Sequence, residues 1–250
     1  MSNRTLTILS VVALLLSTPV QAASFNEAQK EEIGTVVRDY LIEHPEVITQ
    51  AITALQDKEI KAWAQKAKDN IKSNFADFFN SNSPTNGVSA PKITVLEYFD
   101  YNCPHCRTMH KTLSEIVNQN KEIQVVYKEL PVLSEASVFA AKAALAAREQ
   151  SKYLELHQKL MDQKDMLSPD KVLALANEVG LDIDKLKKDM DSSKVNDELL
   201  ANRKTAMLIG LKGTPTFVIG KAPATKEMAI EIVAGEVKKE AFEDKIKSVK

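Results

Sequence analysis

The sequence contains only two cysteines, and both lie in the segment Cys-Pro-His-Cys at residues 103–106. This spacing lets one thiol close a ring with the other, and it also suits a pair of metal ligands. A disulfide that only staples so short a loop would stabilise the fold weakly, because it removes little entropy from the unfolded chain. The pair therefore indicates chemistry rather than structural support.

Thiol–disulfide exchange is the first chemistry that these residues allow. Pro104 suits the first position of a helix, so that Cys103 would stand at the helix start. Unpaired N–H groups and the helix dipole stabilise a thiolate there, and His105 would add to this by its charge or a hydrogen bond. Cys106, one turn later, would be the resolving thiol that releases a bound substrate. We predict that Cys103 is the nucleophile.

A metal site is the alternative chemistry. Met109 and His110 follow the two cysteines within two helical turns, and such sulfur and imidazole donors suit copper(I) or zinc. Haem attachment is excluded because Arg107, and not histidine, follows Cys106. Structural zinc normally takes ligands from two separated clusters, and the cysteines form only one. Copper(I) binding by Cys103 and Cys106 is therefore the alternative function.

The N-terminal sequence predicts export. Arg4 precedes an apolar run at residues 6–16, and a small-residue cleavage site ends at Ala22, which is the pattern of a secretory signal peptide. The run is too short to span a bilayer, which needs about 20 residues. Export would place the two thiols in an oxidising compartment. We expect the periplasm, with association to the outer membrane or cell surface as a further option.

The composition limits the class of partner. The 250 residues carry 33 basic and 34 acidic side chains, so the chain is nearly neutral. This balance does not favour nucleic-acid binding. Hydrophobic residues make up 44% of the sequence, which is enough for a sizeable core.

Apolar residues recur at helical spacing from residue 25 to about residue 79. We predict two helices that meet at His44 and Pro45, with Pro45 at the first position of the second helix. The segment must bury its apolar face against the rest of the chain or against another copy of itself, and we favour the second, a homodimer or homotrimer through residues 25–80. Residues 81–91 are rich in turn formers and predict a linker or hinge.

The remainder of the sequence predicts an α/β domain. Residues 92–99 and 122–130 have strand character and flank a helical segment at about 103–120, which indicates a parallel βαβ unit. A helical stretch follows, then two short strands and a final helix at 236–249. The predicted organisation is a signal peptide (1–22), an N-terminal helical oligomerisation segment (23–80), a linker (81–91) and the α/β domain (92–250).

Four motifs in this order resemble the DsbA-like family of thiol–disulfide oxidoreductases: LEYFDYNCPHC, KELP, a long helical insertion and GTPTFVIG. The resemblance covers about residues 92–250. It implies a thioredoxin fold with a helical insertion at about 131–210, and a redox-active Cys103–Cys106 disulfide with no other cofactor. The segment YLIEHPEVITQAI resembles the oligomerising stalk of the subgroup that contains ScsC and the Com-type proteins.

The resemblance also implies roles for residues outside the cysteine motif. Pro215 matches the cis-proline that faces the active-site disulfide, and Thr214 would offer its backbone to an extended substrate strand. Threonine at this position departs from DsbA and resembles isomerases and ScsC-like proteins. Glu97 occupies the position of a buried acid that exchanges protons with Cys106, although its pattern alone favours an exposed strand residue. Lys128 is either its charge partner or a surface lysine.

We therefore predict a periplasmic disulfide isomerase with some oxidase capacity. Its substrates would be exported proteins that contain cysteines, and a membrane partner of the periplasmic disulfide system would reoxidise it. The alternatives are a copper(I)-binding envelope protein and an envelope protein whose helical stalk mediates assembly. The pattern assigns Trp63 to packing and His157 to an exposed helix surface.

Overall fold

A computed structural model of the protein describes residues 25–79, 82–86 and 88–249. The predicted signal peptide, residues 1–22, lies outside the described residues. The chain divides into two compact units between Gln56 and Asp57. Within the described ranges, no helix combines the length and the apolar character needed to cross a bilayer.

The first unit consists of helix α1 (Glu27–Glu43) and the start of helix α2 (Glu46–Ser73), so the two predicted helices are present. Asn26 and Gln29 form a reciprocal capping box at the start of α1. The second helix begins one residue later than predicted, after Pro45. Large apolar side chains are exposed on α1 and on the first part of α2, as is Phe25 before α1: Phe25, Ile33, Val36, Val37, Tyr40, Ile42, Ile48, Ile52 and Leu55.

The second unit is built on a four-stranded mixed sheet with the order β2-β1-β3-β4. Strands β1 (Ile93–Phe99) and β2 (Ile123–Glu129) are parallel, as the predicted βαβ unit requires. Strands β3 (Thr216–Lys221) and β4 (Ile230–Ala234) continue the sheet in antiparallel pairing. Every residue of β1 is buried, which fits its central place in the sheet.

Helices cover both faces of this sheet. Beyond α2 they are α3 (Phe75–Phe79), α4 (Pro104–Gln119), α5 (Glu135–Ala146), α6 (Tyr153–Met161), α7 (Pro169–Glu178), α8 (Ile183–Met190), α9 (Ser193–Leu208) and α10 (Lys239–Ser248). Helices α5 to α9 form the predicted insertion between β2 and β3. Ser168 caps α7, Pro169 occupies its first position, and Gly180 follows its end with a φ of 79°.

The end of the N-terminal helical segment belongs to the second unit. Ala67 and Ile71 of α2 and Phe78 of α3 are buried in the core on one face of the sheet, together with Leu96 and Tyr98 of β1. The predicted boundary near residue 80 therefore differs from the division in the structure. Helical spacing reveals which side of a helix is apolar, but it does not reveal whether that side packs within the chain or against another chain.

Residues 84–86 of the turn-rich segment that predicts a linker lie along the outer edge of β2 instead. The amide of Tyr127 donates to the carbonyl of Pro84 at 2.8 Å, and the amide of Asn86 donates to the carbonyl of Val125 at 3.1 Å. The Asn86 side chain adds bonds to the Val125 amide and the Ile123 carbonyl. The linker prediction is wrong for these residues because their hydrogen bonds go to the sheet and not to water.

Candidate active site

Cys103 caps the N-terminus of α4, as the sequence predicts. Its backbone is extended, with a φ of −84° and a ψ of 116°, and Pro104 follows at the start of the helix. The Cys103 amide donates to the Asp100 carbonyl at 3.1 Å, and the Arg107 amide donates to the Cys103 carbonyl at 3.2 Å. Asp100 also accepts from the Asn102 amide at 2.8 Å. The loop before α4 is thereby fixed, and with it the position of the Cys103 sulfur.

Both cysteines are free thiols, and they differ in exposure. The exposed fraction of Cys103 is 5%, whereas Cys106 is completely buried. Pro104 and His105, between them, are exposed. Cys103 is therefore the thiol that a substrate can reach, and it lies just below the surface rather than projecting from it.

The peptide bond between Thr214 and Pro215 is cis, as the family resemblance implies. The Cys103 Sγ lies 3.3 Å from the Thr214 carbonyl oxygen, although 111 residues separate them in the sequence. Pro215 is buried, and its carbonyl accepts from the Gly235 amide at 2.8 Å. The structure thus brings together the helix start and the loop that the sequence analysis assigned to one site.

The surroundings give the two thiols opposite acidities. A hydrogen bond from the Cys106 side chain is the largest influence that lowers the pKa of Cys103 to about 5, and Thr214 and the backbone at Cys106 and His105 add to it against the effect of burial. Burial raises the pKa of Cys106 far above its ordinary value, and its bond to Cys103 adds to the rise. At neutral pH, Cys103 is a thiolate and Cys106 a thiol.

Glu236 is a residue of the site that the sequence analysis did not find. It lies just after β4, and its Oε2 is 2.8 Å from the His105 Nδ1. This hydrogen bond is the main cause that raises the pKa of His105, and the charge of Cys103 contributes to the rise. Nothing in the sequence signals the contact, because 131 residues separate the two side chains.

We expect Glu236→Gln to lower the pKa of His105. Glutamine keeps the length of the side chain but removes the negative charge that favours the imidazolium ion. The measurement is an NMR titration of the His105 ring in the reduced protein. His44 is a control within the same sample, because it lies in the first unit. An unchanged His105 titration would show that the ion pair does not form in solution.

Glu97 is buried on the core side of the site, which excludes the exposed alternative. It is 0% exposed, and neither carboxylate oxygen has a hydrogen-bond partner among the described residues. Burial raises its pKa to about 8, so the group is largely protonated at neutral pH.

Lys128 is neither the partner of Glu97 nor a surface residue. It pairs with Tyr98 in the sheet register, one position beyond Glu97, and therefore faces the opposite side of the sheet. Its Nζ donates to the Ser83 Oγ at 2.9 Å, and its side chain is buried. The alternation of strand side chains explains why the predicted pair does not form.

We expect Glu97→Gln to make the protein more stable at alkaline pH. The folded protein keeps a proton on Glu97 that the unfolded chain releases above pH 4.5, so this group costs stability as the pH rises towards 8. The cost is below about 1 kcal/mol at pH 5 and about 4 kcal/mol at pH 8. Urea unfolding of the wild type and of Glu97→Gln at both pH values measures this cost. A constant difference between them would contradict the raised pKa.

His157 is buried and not on a helix surface, contrary to the sequence prediction. Its exposed fraction is 1%, and its Nδ1 lies 2.9 Å from the Tyr101 hydroxyl. The Tyr101 hydroxyl donates to Glu129 at 2.7 Å, and the Tyr153 hydroxyl donates to the same oxygen at 2.9 Å. This buried network holds Tyr101, two residues before Cys103, against the helical insertion.

The side chains that suggested a metal site have other partners. The Met109 sulfur accepts from the Val237 amide at 3.5 Å, and the His110 Nε2 lies 3.0 Å from the Gln158 Oε1. In the part of the chain that the structure describes, no three His, Cys, Asp or Glu side chains gather as metal ligands do. Copper(I) binding therefore rests on the two cysteines alone.

Two family models match this chain. The model of the DSBA-like thioredoxin domain matches residues 94–247, and that of the copper resistance protein ScsC N-terminal domain matches residues 29–62. A Rickettsia typhi protein, RT0103, bears the name of a protein-disulfide oxidoreductase; it is 25% identical over 89% of this chain and 83% of its own length. The first curated relatives are sodium/proton antiporters such as NhaA 3 of Salinispora tropica, which is 30% identical, but the chain spans only 21% of it.

Solved structures show the same relationship. A thioredoxin-like oxidoreductase from Silicibacter pomeroyi is 36% identical, with a TM-score of 0.63, over 69% of this chain and 95% of its own. ScsC of Proteus mirabilis in a transitional conformation is 28% identical, with a TM-score of 0.61, over 91% of this chain and 98% of its own. The second similarity extends over both the N-terminal helices and the sheet-containing unit.

Proposed function

Since the chain belongs to the DsbA-like family of thiol–disulfide oxidoreductases, we propose that it reshuffles and introduces disulfides in exported proteins through Cys103 and Cys106. The observation that carries this proposal is the Cys103 sulfur 3.3 Å from the carbonyl of Thr214, with a pKa lowered to about 5. A stable thiolate is both an available nucleophile and a good leaving group. The adjoining cis loop offers the backbone of an incoming chain a place to bind.

Oxidation of a substrate begins from the Cys103–Cys106 disulfide. A substrate thiolate attacks the Cys103 sulfur, the bond to Cys106 breaks, and Cys106 leaves with the electron pair. Cys106 then takes up a proton, which its high pKa favours. We propose that Glu97, protonated near neutral pH, supplies this proton. A second substrate thiolate attacks the substrate sulfur of the mixed disulfide, and Cys103 leaves as a thiolate.

Reshuffling begins from the reduced protein. The Cys103 thiolate attacks one sulfur of a substrate disulfide and releases the other as a thiolate. That thiolate, or another on the same substrate, attacks the mixed disulfide and forms a different pairing, so no net oxidation occurs. Reshuffling itself therefore needs no electron acceptor. If no correct pairing forms, the Cys106 thiol loses its proton, attacks Cys103 and releases the substrate as a thiol; the substrate disulfide is then reduced, and the protein holds a Cys103–Cys106 disulfide that a thiol reductant must reduce before the next cycle.

Two features favour reshuffling over pure oxidation. Thr214, as in the isomerases that the sequence resembles, precedes the cis-proline. The first unit also exposes a row of apolar side chains on α1 and α2, which a second or third copy of the chain would cover. Several active sites in one assembly would hold a misfolded substrate and shield Cys103 from reoxidation. Dimers and trimers meet this requirement equally.

We place this activity in the periplasm. A thiol pair of this kind works where substrate disulfides persist, and the signal-peptide pattern at residues 1–22 fits export to such a compartment. The likeness to ScsC of Proteus mirabilis over 91% of this chain supports an exported protein. A membrane redox partner that reoxidises Cys103 and Cys106 completes the proposed cycle.

Refolding of scrambled ribonuclease tests the proposed function. We expect the mature chain to restore ribonuclease activity in the presence of a little reduced glutathione, a chain of residues 57–250 to do so more slowly, and Cys103→Ser to do so not at all. The shorter chain keeps the whole second unit, so its slower rate would measure the contribution of the stalk. Equal rates for all three proteins would refute the proposal.

Copper(I) binding is a second candidate function, which the two adjacent thiols favour. It predicts that the reduced protein keeps one copper(I) ion in competition with a strong chelator and loses it when either cysteine is replaced. Thiol exchange without copper retention would leave disulfide chemistry as the function.

A further inference from the structure

A groove lies beside the cis loop, and its outer wall comes from helix α2. Its volume is about 330 Å³, which lies at the lower end of the range of about 300–1,000 Å³ for binding pockets. Lys212 to Thr216 form one side of it, and Ala234 and Gly235, at the end of β4, form another. Ile60 and Trp63 close the third side. All of these residues belong to the second unit.

The wall residues lie outside the part of the chain that the DSBA-like family model matches, which begins at residue 94. Ile60 is 54% exposed, and Trp63 is half-buried. An exposed aliphatic side chain, the indole ring, Pro215 and Ala234 together give the groove an apolar lining. Isolated apolar residues on a surface are ordinary, but several around one concave site mark a place for a ligand.

Trp63 also fixes the loop that forms the opposite side. Its Nε1 donates to the Ile209 carbonyl at 2.8 Å and to the Gly210 carbonyl at 2.9 Å. These carbonyls lie at the C-terminal end of α9, where backbone acceptors lack partners within the helix. The cis bond at Thr214 follows only four residues after Gly210. One side chain thus fixes the start of the loop and presents its ring to the groove.

We propose that Ile60 and Trp63 complete a specificity groove that selects client segments with an apolar side chain within two residues of the reacting cysteine. This inference rests on the proposed exchange function and names the chemical class of its substrates. The occupant is an extended client segment, because the groove is continuous with Pro215 and Thr214. Thr214 lies against the Cys103 sulfur to which the client cysteine bonds.

The length of an extended chain and the apolar walls of the groove both fit a client segment as the occupant. An extended chain advances about 3.3 Å per residue, so a side chain one or two residues from the bonded cysteine lies within reach of a groove that borders the same loop. Backbone hydrogen bonds to Thr214 would hold any sequence, whereas the apolar walls would distinguish among sequences. Burial of a leucine side chain gains about 1.5–3 kcal/mol, which corresponds to a preference of about tenfold or more.

Two peptides test the proposal. In one, the two residues on each side of a single cysteine are all leucine; in the other they are all serine. The rate at which each peptide reduces the oxidised protein is measured for the wild type, Trp63→Phe and Trp63→Ala. We expect a leucine-to-serine rate ratio of about ten in the wild type, a similar ratio with phenylalanine, and a ratio near one with alanine.

The two variants distinguish the two roles of Trp63, which are to line the groove and to bond the loop. Phenylalanine keeps an apolar ring but cannot donate to Ile209 and Gly210. If Trp63 served only to fix the loop, both variants would slow both peptides equally and leave the ratio at its wild-type value, which would overturn the proposal. A wild-type ratio near one would overturn it as well. Reduction by glutathione is measured in parallel, and its absence in the wild type would refute the exchange function itself.

Fluorescence gives a second measurement that needs no redox reaction. Trp63 is the only tryptophan of the chain, so the emission of the protein reports on this groove alone. A leucine peptide with serine in place of its cysteine should shift the emission as the indole loses contact with water, and the all-serine peptide should not. The same response to both peptides would contradict an apolar site at Trp63.

Discussion

Replacing Cys103 by serine is expected to abolish disulfide exchange, with a loss of more than about 10³-fold in the rate of disulfide reduction. The serine hydroxyl is not ionised at neutral pH, whereas the surroundings of Cys103 lower the pKa of its thiol to about 5. The rate is measured by reduction of a peptide disulfide. The reduced variant should also be less stable than the reduced wild type at neutral pH, because a thiol whose pKa is lowered on folding stabilises the folded state; circular dichroism checks that the variant is folded.

Cys106→Ser is the matched variant, and its expected result is different. Attack by Cys103 remains possible, but the thiol that releases the substrate is missing, so stable mixed disulfides should accumulate. Mass spectrometry of the acid-quenched reaction would detect one substrate chain on Cys103. A variant without Cys106 that turns over like the wild type would contradict the assignment of Cys106 as the resolving thiol.

Removal of residues up to 80 is expected to unfold the catalytic unit, although the sequence pattern places a domain boundary there. The cut removes Ala67, Ile71 and Phe78 from the core and leaves part of the facing side of the sheet uncovered. Loss of one large buried side chain costs about 2–5 kcal/mol, and whole domains are stable by about 5–15 kcal/mol. Urea unfolding followed by circular dichroism measures the effect.

The control is a chain that begins at residue 57, where the compact unit begins. It lacks α1 and the start of α2 but keeps every residue of the buried cluster, and we expect a cooperative unfolding transition. The chain that begins at residue 81 should lack such a transition or unfold at a much lower urea concentration. Equal midpoints would show that packing of α2 and α3 contributes nothing to stability.

The fold was predictable where local pattern and topology agree. Alternating and β-branched residues indicated β1 and β2, and the helical segment between them fixed their parallel pairing. The position of Cys103 followed from Pro104, because proline suits the first residue of a helix. Such features depend on neighbours within a few residues, which a single sequence records directly.

The sequence-based predictions failed for residues whose contact partners lie far from them in the sequence. Residues 84–86 resemble a linker because their hydrogen bonds to β2 leave no trace in composition. His157 stands at a helical position that could face water, and only the packing of α6 against the rings of Phe99 and Tyr127 and against Tyr101 buries it. Glu236 approaches His105 across 131 residues. Glu236 could therefore be assigned to the site only from the structure, whereas Cys103 and Cys106 could be assigned from the sequence.

The segment that lies along β2 has a consequence for the proposed exchange with non-native proteins. An open sheet edge recruits any extended polypeptide and seeds aggregation. Pro84 and Asn86 occupy the hydrogen-bonding groups of Tyr127 and Val125 on that edge. An extended segment of a non-native protein therefore cannot add to the sheet as a further strand at these positions of β2.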